Sequence, residues 1–594
     1  MVALHAVLLG FPSVINSATT DEVVHLSSGI SHWHLGRFEL GAVNPPLVRI
    51  VGAFPVLALK PKVDWSTANE DPTVRSDLSV SRKFMQNNAE RLTTYFSLTR
   101  IACIPFSILG MWVCYAWAHA VSGYRAGLFA AFLWCFSPMV LGHGSLITAD
   151  VGAASLGAAA MFRFRTWLVA SSFSNAILLG IVTGFALLTK FIFVPVFPLI
   201  ALLVLPLWRG SDVWPFRCIR RDFAHLSCAV FVSLLVVNIL YDFEGTFTPL
   251  GAIKFSNKLL RSNSDDYSKV SAPNRLSGTL LGMLPVPLPI LYVRGIDMVG
   301  NDLEPNSMTA RSYLLGQWKE GGWWCYYIVG ILTKEPLSIL VLGVIAVIAH
   351  FRSVLPFWNS MKAPLPFREL AILVVPVVII FAFVSSQTGF SRHLRYVLPA
   401  YPFAYILISA VTQFLGYKKL ICLASMLVAS SVFAFPHWLA YYNEAAGGPK
   451  NGSYWLLGSN TDWSQDLLRL KRWMNEHPDA TPMKSMLYCS RYSPTAIGIY
   501  TETPPPFIAG KQNIVDANGE RGPQPGWFAI SQRILKESVY SSDTGYQYFE
   551  RFKPVDYAGY SILIYYISPE AADTVRRSLE MEETKSEFLW SSRE

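Results

Sequence analysis

The stretch VALHAVLLGFPSVI occupies residues 2–15, and it is followed by TTDEVVH at residues 19–25. A mostly apolar segment that ends at two adjacent carboxylates is typical of a transmembrane helix that leaves the membrane at a charged loop. Asp21 and Glu22 therefore have two interpretations. They are either the solvated start of a loop, or catalytic and ligand-binding groups held at the membrane surface.

The amino-acid composition is that of a membrane protein. Of its 594 residues 52% are hydrophobic and only 15% are charged, and the mean hydropathy is +0.34. Soluble proteins average about 25% charged residues. The net charge of +9 is not gathered into a basic stripe, so a nucleic-acid-binding protein is excluded. The eight cysteines show no C-x-x-C spacing, so neither a zinc ribbon nor a disulfide framework is indicated.

Long apolar runs limited by charged or turn residues predict about eleven transmembrane helices. The first run is short for a span, but no basic residues precede it, which favours a first transmembrane helix over a cleaved signal peptide. The predicted spans are 2–17, 93–120, 125–142, 150–168, 176–190, 191–208, 224–241, 326–350, 369–386, 394–415 and 419–440.

Basic residues in short alternate loops, such as Arg163, Arg165, Lys418 and Lys419, predict the cytoplasmic side. The outer loops are then 18–92 and 242–325, and the shorter outer loops include 143–150 and 388–395. In the first of them, Asn44-Pro45-Pro46 predicts a turn into a short amphipathic helix at the membrane interface. We therefore expect a multi-pass membrane protein. Its membrane-proximal titratable groups gather on the non-cytoplasmic face.

The character of the sequence changes after residue 442. Residues 1–442 are predicted to form the transmembrane catalytic domain, and residues 443–594 are soluble in composition. An apolar stripe of Leu467, Leu470 and Trp473 predicts a helix, and strand-like runs follow it. The fold class is therefore an α-helical polytopic membrane protein with a C-terminal soluble α/β domain on the outer side.

Several outer-face residues suit one kind of chemistry. Asp21 at a membrane mouth can act as a general base, with Glu22 beside it. His143 and Asp150 lie seven residues apart in a short hairpin. They can orient one another, or share a divalent cation with Asp21. No C-x-x-C or other metal signature supports that cation.

Basic side chains on the same face complete the set of candidate site residues. Lys190 interrupts an apolar run, and Arg392 and Arg395 precede a predicted span. Each has an ordinary interpretation as an interfacial anchor. Arginine pairs also bind phosphate, and these lie on the face where basic residues are disfavoured. No glycine-rich phosphate loop is present in the sequence, which disfavours a nucleotide donor and favours a lipid-linked phosphate.

Several stretches in order resemble the GT-C superfamily of polyprenyl-phosphate-dependent glycosyltransferases. The closer likeness is to the protein O-mannosyltransferase and aminoarabinose transferase group. These stretches are Asp21-Glu22, Asn44-Pro45-Pro46-Leu47, HGSLITAD at 143–150, LLTK at 187–190, GGWW at 321–324, KEP at 334–336, RYVLP at 395–399, AYYNEAAGGP at 440–449 and SNTDWSQDL at 459–467.

The resemblance implies a membrane glycosyltransferase that moves a sugar from a polyprenyl-phosphate donor to a protein, lipid or glycan acceptor. It implies that Asp21 is the catalytic base, with Glu22 beside it, and that Asp150 is the second acidic residue of the site. Lys190, Arg392, Arg395 and His143 are then candidates for binding the substrate phosphate. The alternative is a transporter or flippase of lipid-linked sugars, which would favour ionisable groups at mid-membrane depth and paired repeats.

Overall fold

The computed structural model describes residues 1–210, 216–261, 274–303, 311–352, 365–386, 392–511, 513–537 and 545–584. Residues 388–391 of the loop predicted at 388–395 lie outside this part of the chain. So do parts of the outer loop predicted at 242–325 and of the region 443–594.

Most of the described chain is helical. The helices are α1 Val2–Ile15, α2 Thr20–Leu35, α3 Leu47–Leu57, α4 Asp77–Asn87, α5 Leu92–Ser122, α6 Tyr124–Phe136, α7 Pro138–Gly144, α8 Ala149–Val169, α9 Phe173–Leu187, α10 Phe193–Arg209, α11 Phe216–Leu240, α12 Ile290–Asp302, α13 Tyr326–Lys334, α14 Leu337–Arg352, α15 Phe367–Ser386, α16 Tyr401–Ser409, α17 Tyr417–Phe433, α18 Gly452–Trp455, α19 Leu467–Glu476, α20 Gln532–Glu537 and α21 Pro569–Ser578.

Each predicted span overlaps helical structure, and the predicted break at Lys190 is confirmed as the gap between α9 and α10. Four helices are long and apolar enough to cross a membrane within the described residues, or up to seven if each of three bent pairs counts as one span. The four are Ala89–Ser122, Ile219–Leu240, Phe367–Ser386 and Leu394–Gln413. The predicted number of eleven spans stays a prediction.

The bends fall where the sequence interrupts a helix. The axes of α13 and α14 meet at 118° around Pro336, and those of α6 and α7 meet at 59° around Pro138. Proline restricts the residue before it and removes one backbone donor, so a helix usually ends there. The third bend, of 96° between α1 and α2, lies at residues 16–19, where no proline occurs. It brings Asp21 into the first turn of α2.

The turn predicted at Asn44-Pro45-Pro46 leads into α3, which packs against α2 and α5. The two helices α2 and α3 approach closely at Gly29. A Cβ atom at that position would lie 2.3 Å from the carbonyl oxygen of Arg49. Only glycine permits this approach, which holds α2 closely against α3.

The described residues include strands β1 Arg311–Leu314, β2 Gln317–Glu320, β3 Met483–Met486, β4 Gly526–Ser531, β5 Asp556–Ala558 and β6 Ile562–Ile567. The first two form a separate hairpin, and the other four form a sheet of the C-terminal region in the order β3-β4-β6-β5. Strands β3 and β4 are parallel, and the other neighbours in this sheet are antiparallel. The predicted helix that carries Leu467, Leu470 and Trp473 is confirmed as α19.

The two faces of this sheet bury different partners, because side chains alternate along a strand. Phe528 and Ile530 of β4 pack among residues of the C-terminal region itself. Ala529, between them, packs in a cluster that also holds Val23 of α2 and Phe84 of α4. The sheet therefore shares part of its core with the first outer segment. The domain boundary at 442 and 443 stays a prediction.

Candidate active site

Four charged residues that are far apart in the sequence meet at the ends of four helical segments. Asp21 and Asp150 lie in the first turns of α2 and α8. Lys190 lies in the break between α9 and α10. Arg395 is the second residue of a 3-10 helical segment, Leu394–Ala400, which leads into α16. Helix N-termini carry a partial positive charge, which favours the two carboxylates at these positions.

Arg395 joins the two carboxylates. Its Nη2 donates a hydrogen bond to Oδ2 of Asp21 at 2.9 Å, and its Nη1 donates to Oδ2 of Asp150 at 3.4 Å. The other oxygen of Asp150 accepts from Nζ of Lys190 at 2.5 Å. The contacts therefore form a continuous chain of two carboxylates and two cations, in which Asp150 lies between the cations.

Asp21 is the open end of this chain. Its side chain is 36% exposed, whereas those of Arg395, Lys190 and Asp150 are 8%, 14% and 3% exposed. Buried charges are tolerated when each has an opposite partner, and removing one partner leaves the other uncompensated. Asp150 therefore pairs with both cations in the interior, and Asp21 is the more exposed of the two carboxylates.

One nitrogen of the Arg395 guanidinium donates no hydrogen bond within the described residues. Its Nε is buried and has no hydrogen-bond partner among the residues that the structure describes. An unsatisfied buried donor costs free energy, so it favours a ligand that supplies an acceptor oxygen. A phosphate group is such a ligand, because a guanidinium presents its donors in a planar fork.

Two aromatic rings cover the cations. The guanidinium of Arg395 lies 4.3 Å from the centre of the Trp463 ring and 5.6 Å from that of Tyr396. The ammonium of Lys190 lies 5.2 Å from the Tyr396 ring. These distances are within the range of attractive cation–π contacts. Trp463 lies in the SNTDWSQDL stretch at 459–467 that contributes to the resemblance, but the sequence alone assigns it no role in the site.

His143 lies at the edge of the site. It is buried at the end of α7, and its ring centre is 6.3 Å from that of Trp463. Its Nδ1 has no hydrogen-bond partner within the described residues. The structure therefore brings His143 close to the predicted site but shows it in contact with an aromatic ring rather than with either carboxylate.

Arg392 contacts its surroundings through its backbone carbonyl group. Its carbonyl oxygen accepts a hydrogen bond from the side-chain amide of Asn460 at 3.2 Å. Its guanidinium is half-buried, and it belongs to none of the ion pairs formed within the described part of the chain. The structure thus separates the two predicted arginines, since only Arg395 contacts the carboxylates.

Glu22 points away from Asp21 and is completely buried. Its Oε1 accepts from Nε of Arg100 at 2.8 Å and from the Ile147 amide at 3.1 Å. Its Oε2 accepts from Nη2 of Arg100 at 2.6 Å and from the Thr19 amide at 2.9 Å. Both oxygens are therefore fully used by the protein.

Arg100 extends this anchor. It donates further hydrogen bonds to the carbonyl oxygen of Ser13 in the last turn of α1 and to those of Asn16 and Ser17 in the bend between α1 and α2. The Glu22–Arg100 pair therefore fixes the bend that presents Asp21. The Thr19-x-x-Glu22 spacing is the capping-box signature, which was the sequence signal for this structural role.

The predicted metal set does not fit this arrangement. Among the described residues, no group of three His, Cys, Asp or Glu side chains is placed to hold a metal ion. The space between Asp21 and Asp150 is occupied by the guanidinium of Arg395. A divalent cation there would lie beside two positive side chains, so these residues suit an anion better than a metal.

Asp462 lies next to Trp463 in the C-terminal region. Burial raises the pKa of its carboxyl to about 7, and hydrogen bonds from the amides of Ser464 and Arg533 partly oppose this effect. A carboxyl with this pKa changes its charge within the physiological range.

No protein-family model matches the chain, and no curated protein matches it. Among solved structures, the fold is similar to that of ArnT from Cupriavidus metallidurans, in the apo state with a TM-score of 0.46 and bound to undecaprenyl phosphate with a TM-score of 0.45. Both comparisons have 13% sequence identity and cover 95% of this chain and 96% of the other.

The fold is also similar to that of the Archaeoglobus fulgidus oligosaccharyltransferase in complex with an inhibitory peptide and a dolichol-phosphate. That comparison has a TM-score of 0.38 and 14% identity, and it covers 72% of this chain and 56% of the other.

Proposed function

We propose that the chain is an inverting membrane glycosyltransferase that moves a sugar from a polyprenyl-phosphate donor to a hydroxyl group of a protein, lipid or glycan. The carrying observation is that Asp21, a carboxylate with a partly exposed side chain, is held 2.9 Å from Arg395. Arg395 is linked through Asp150 to a second cation, Lys190. A base beside two cations is what transfer from a phosphate leaving group requires.

Arg395 and Lys190 bind the donor phosphate in this proposal. The unused Nε of Arg395 supports it, because a phosphate oxygen would supply the acceptor that this donor lacks among the described residues. The phosphate also competes with Asp21 for Nη2 of Arg395. Donor binding then releases the Asp21 carboxylate from its ion pair and leaves it free to accept a proton.

The reaction is a single displacement. Asp21 takes the proton of the acceptor hydroxyl as the hydroxyl oxygen forms a bond to the anomeric carbon. The bond from that carbon to the phosphate oxygen breaks at the same time, and its electron pair stays on the phosphate. Arg395 and Lys190 stabilise the charge that develops there. One displacement from the opposite face inverts the anomeric configuration.

The remaining predicted residues have supporting roles. Asp150 keeps Arg395 and Lys190 in place, and Glu22 fixes the α1–α2 bend through Arg100 rather than contacting the substrate. His143, beside Trp463, and Arg392, two residues before Arg395, remain candidates for further donor contacts. No step passes through a metal ion, since the side chains perform both the proton transfer and the phosphate binding.

We place the site at the non-cytoplasmic face of a plasma (inner) membrane of bacterial type. The eleven-span topology puts Asp21, Asp150, Lys190 and Arg395 on that side, together with the outer loops 18–92 and 242–325. In this proposal residues 1–442 form the catalytic part, and residues 443–594 form an α/β region that covers the site from outside the membrane.

The test uses the donor lipid itself. Lipid-linked sugars that accumulate in a deletion strain of the source organism would be identified by mass spectrometry and supplied to the purified protein in detergent. We expect transfer of the sugar to an acceptor extract, with free polyprenyl phosphate as the second product. Detergent removes any sealed compartment, so transfer there would also exclude the transporter or flippase. Accumulation that the wild-type gene reverses, without transfer in detergent, would contradict the proposal.

A further inference from the structure

The segment from Gly458 to Asp466 belongs to the C-terminal region by sequence and bonds to it, but several of its contacts are with the candidate active site. Trp463 is buried in this segment and stacks on the guanidinium of Arg395 at 4.3 Å. Its ring also packs with Leu146 and Leu439. The indole therefore has a fixed position, and it covers one face of the guanidinium whose edge binds Asp21 and Asp150.

The backbone of Trp463 is tied to the helix that carries the base. Its carbonyl oxygen accepts a hydrogen bond from the amide of Thr20, the residue before Asp21, at 3.1 Å. The next residues reinforce this link, because the Ser17 amide donates to the carbonyl of Gln465 at 3.0 Å and the Ser17 hydroxyl donates to that of Ser464 at 2.7 Å. The segment and the start of α2 are thus one unit.

The same segment holds the backbone next to Arg395. Oδ1 of Asn460 accepts from the Leu394 amide at 3.0 Å, and its Nδ2 donates to the Arg392 carbonyl oxygen at 3.2 Å. Lys334 in turn donates to the carbonyl oxygens of Asn460 and Leu439. Asn460 therefore holds the peptide that precedes Arg395, and Lys334 holds the backbone of Asn460 in turn.

These contacts close a ring. Asp21 binds Arg395, Arg395 stacks on Trp463, and Trp463 accepts from the residue before Asp21. A guanidinium that is stacked on an aromatic face keeps its edge free for hydrogen bonds in the plane of the group. Because the stacking already restricts the rotation of the side chain, less conformational entropy is lost when a ligand binds. The orientation of the Arg395 fork is therefore set by Trp463 as well as by its two carboxylate partners.

We propose that Trp463 is a positioning residue of this site, which holds Arg395 in the orientation that binds the donor phosphate. The inference rests on the proposed function for the identity of the ligand. It assigns part of the site to the C-terminal region, which would otherwise be only a cover. A cation–π contact contributes about 0.5–2 kcal/mol, so its loss weakens phosphate binding by about 2- to 30-fold.

The first experiment needs no ligand. Thermal unfolding would be measured for the full-length apo-protein in detergent, as the wild type, Trp463→Leu, Arg395→Met and the double variant. We expect the double variant to lose clearly less in Tm than the sum of the two single losses, because both single variants break the same contact. Additive losses would overturn the assignment of Trp463 to Arg395.

The second experiment measures binding of undecaprenyl phosphate in detergent micelles. We expect Trp463→Leu to weaken binding by about 2- to 30-fold. Trp463→Phe, which keeps an aromatic face, should restore most of the affinity. Trp473→Leu is the matched control, since Trp473 is also buried in the C-terminal region but stacks on His477. We expect it to bind like the wild type.

The outcomes separate the two proposals. Wild-type binding that Trp463→Leu leaves unchanged, or that Trp473→Leu weakens equally, would overturn the positioning role and leave the proposed function intact. Failure of the wild type to bind undecaprenyl phosphate would overturn the proposed function and the donor-binding part of this inference. The unfolding cycle would then still decide whether Trp463 positions Arg395.

Discussion

Arg395 and Asp21, 374 positions apart in the chain, are joined by a hydrogen bond of 2.9 Å between Nη2 and Oδ2. The pair links the start of α2 to the segment before α16, and it lies at the exposed end of a chain of charges that continues through Asp150 to Lys190. In the proposed mechanism this contact exists only before the donor binds. The phosphate takes the place of Asp21 on the guanidinium, and the released carboxylate becomes the base.

Glu22→Gln separates the two adjacent acids. We expect this change to lower stability, because Arg100 would keep its charge in a buried site without its partner, at a cost of about 3–5 kcal/mol. Turnover per folded molecule should remain within a fewfold of the wild type. Thermal unfolding and sugar transfer would be measured on the same detergent preparation. A stable Glu22→Gln protein without turnover would place Glu22 in the chemistry instead.

Lys190→Met tests the second cation. The change leaves Asp150 with Arg395 as its only ion-pair partner among the described residues, so we expect weaker binding of undecaprenyl phosphate by about tenfold or more. Lys190→Arg keeps the positive charge and should retain most of the affinity. Equal binding by Lys190→Met and the wild type would show that Lys190 is an interfacial anchor, the ordinary interpretation of its sequence context.

Asp462 gives a pH dependence of stability. Its pKa is raised to about 7 in the folded protein, above the ordinary value of 3.8, because burial disfavours the charged form. Its contribution to stability is therefore fully present below about pH 4 and is lost as the pH rises through 7. Asp462→Asn cannot ionise, so its stability relative to the wild type should rise between pH 5 and pH 8, by an amount on the order of a few kcal/mol.

The measurement is the Tm of both proteins in detergent across that pH range. The wild type should lose Tm with increasing pH more steeply than Asp462→Asn. Asp479→Asn, which removes an exposed carboxylate of the same region, serves as the control and should follow the wild-type curve. Parallel curves for the wild type and Asp462→Asn would show that Asp462 does not titrate in this range.

The helical architecture could be predicted from the sequence, because it follows from local patterns. Apolar runs gave the positions of the helices, and Lys190 marked the break between α9 and α10. The turn at Asn44-Pro45-Pro46 was confirmed by the start of α3 at Leu47. These features depend on residues that are close in sequence, so periodicity and turn chemistry are sufficient to find them.

The separate roles of the site residues could not be predicted from local sequence patterns. Asp21 and Glu22 are neighbours in sequence, but adjacent residues of a helix point about 100° apart. Only the position of Arg100, 78 residues later, shows which of them is anchored in the interior. The capping-box spacing of Thr19 and Glu22 gave a signal for this difference, and composition gave none.

Trp463 and Asn460 were missed for a related reason. Both act on Arg395 or its neighbours from the C-terminal region, which the sequence assigned to a separate domain. Contacts between residues so far apart leave no periodic pattern in one sequence. The shared core of α2, α4 and the sheet has the same origin, because it depends on how the segments pack rather than on any one of them.

The central claim is that Asp21 is the general base, and Asp21→Asn tests it most directly. Sugar transfer would be measured in detergent with the accumulated lipid-linked donor, for the wild type, Asp21→Asn and Glu22→Gln at equal amounts of folded protein. Loss of a general base lowers the rate by about 10²- to 10⁴-fold, so we expect Asp21→Asn to lose transfer to this extent and still bind undecaprenyl phosphate. Near-normal turnover by Asp21→Asn would contradict the account.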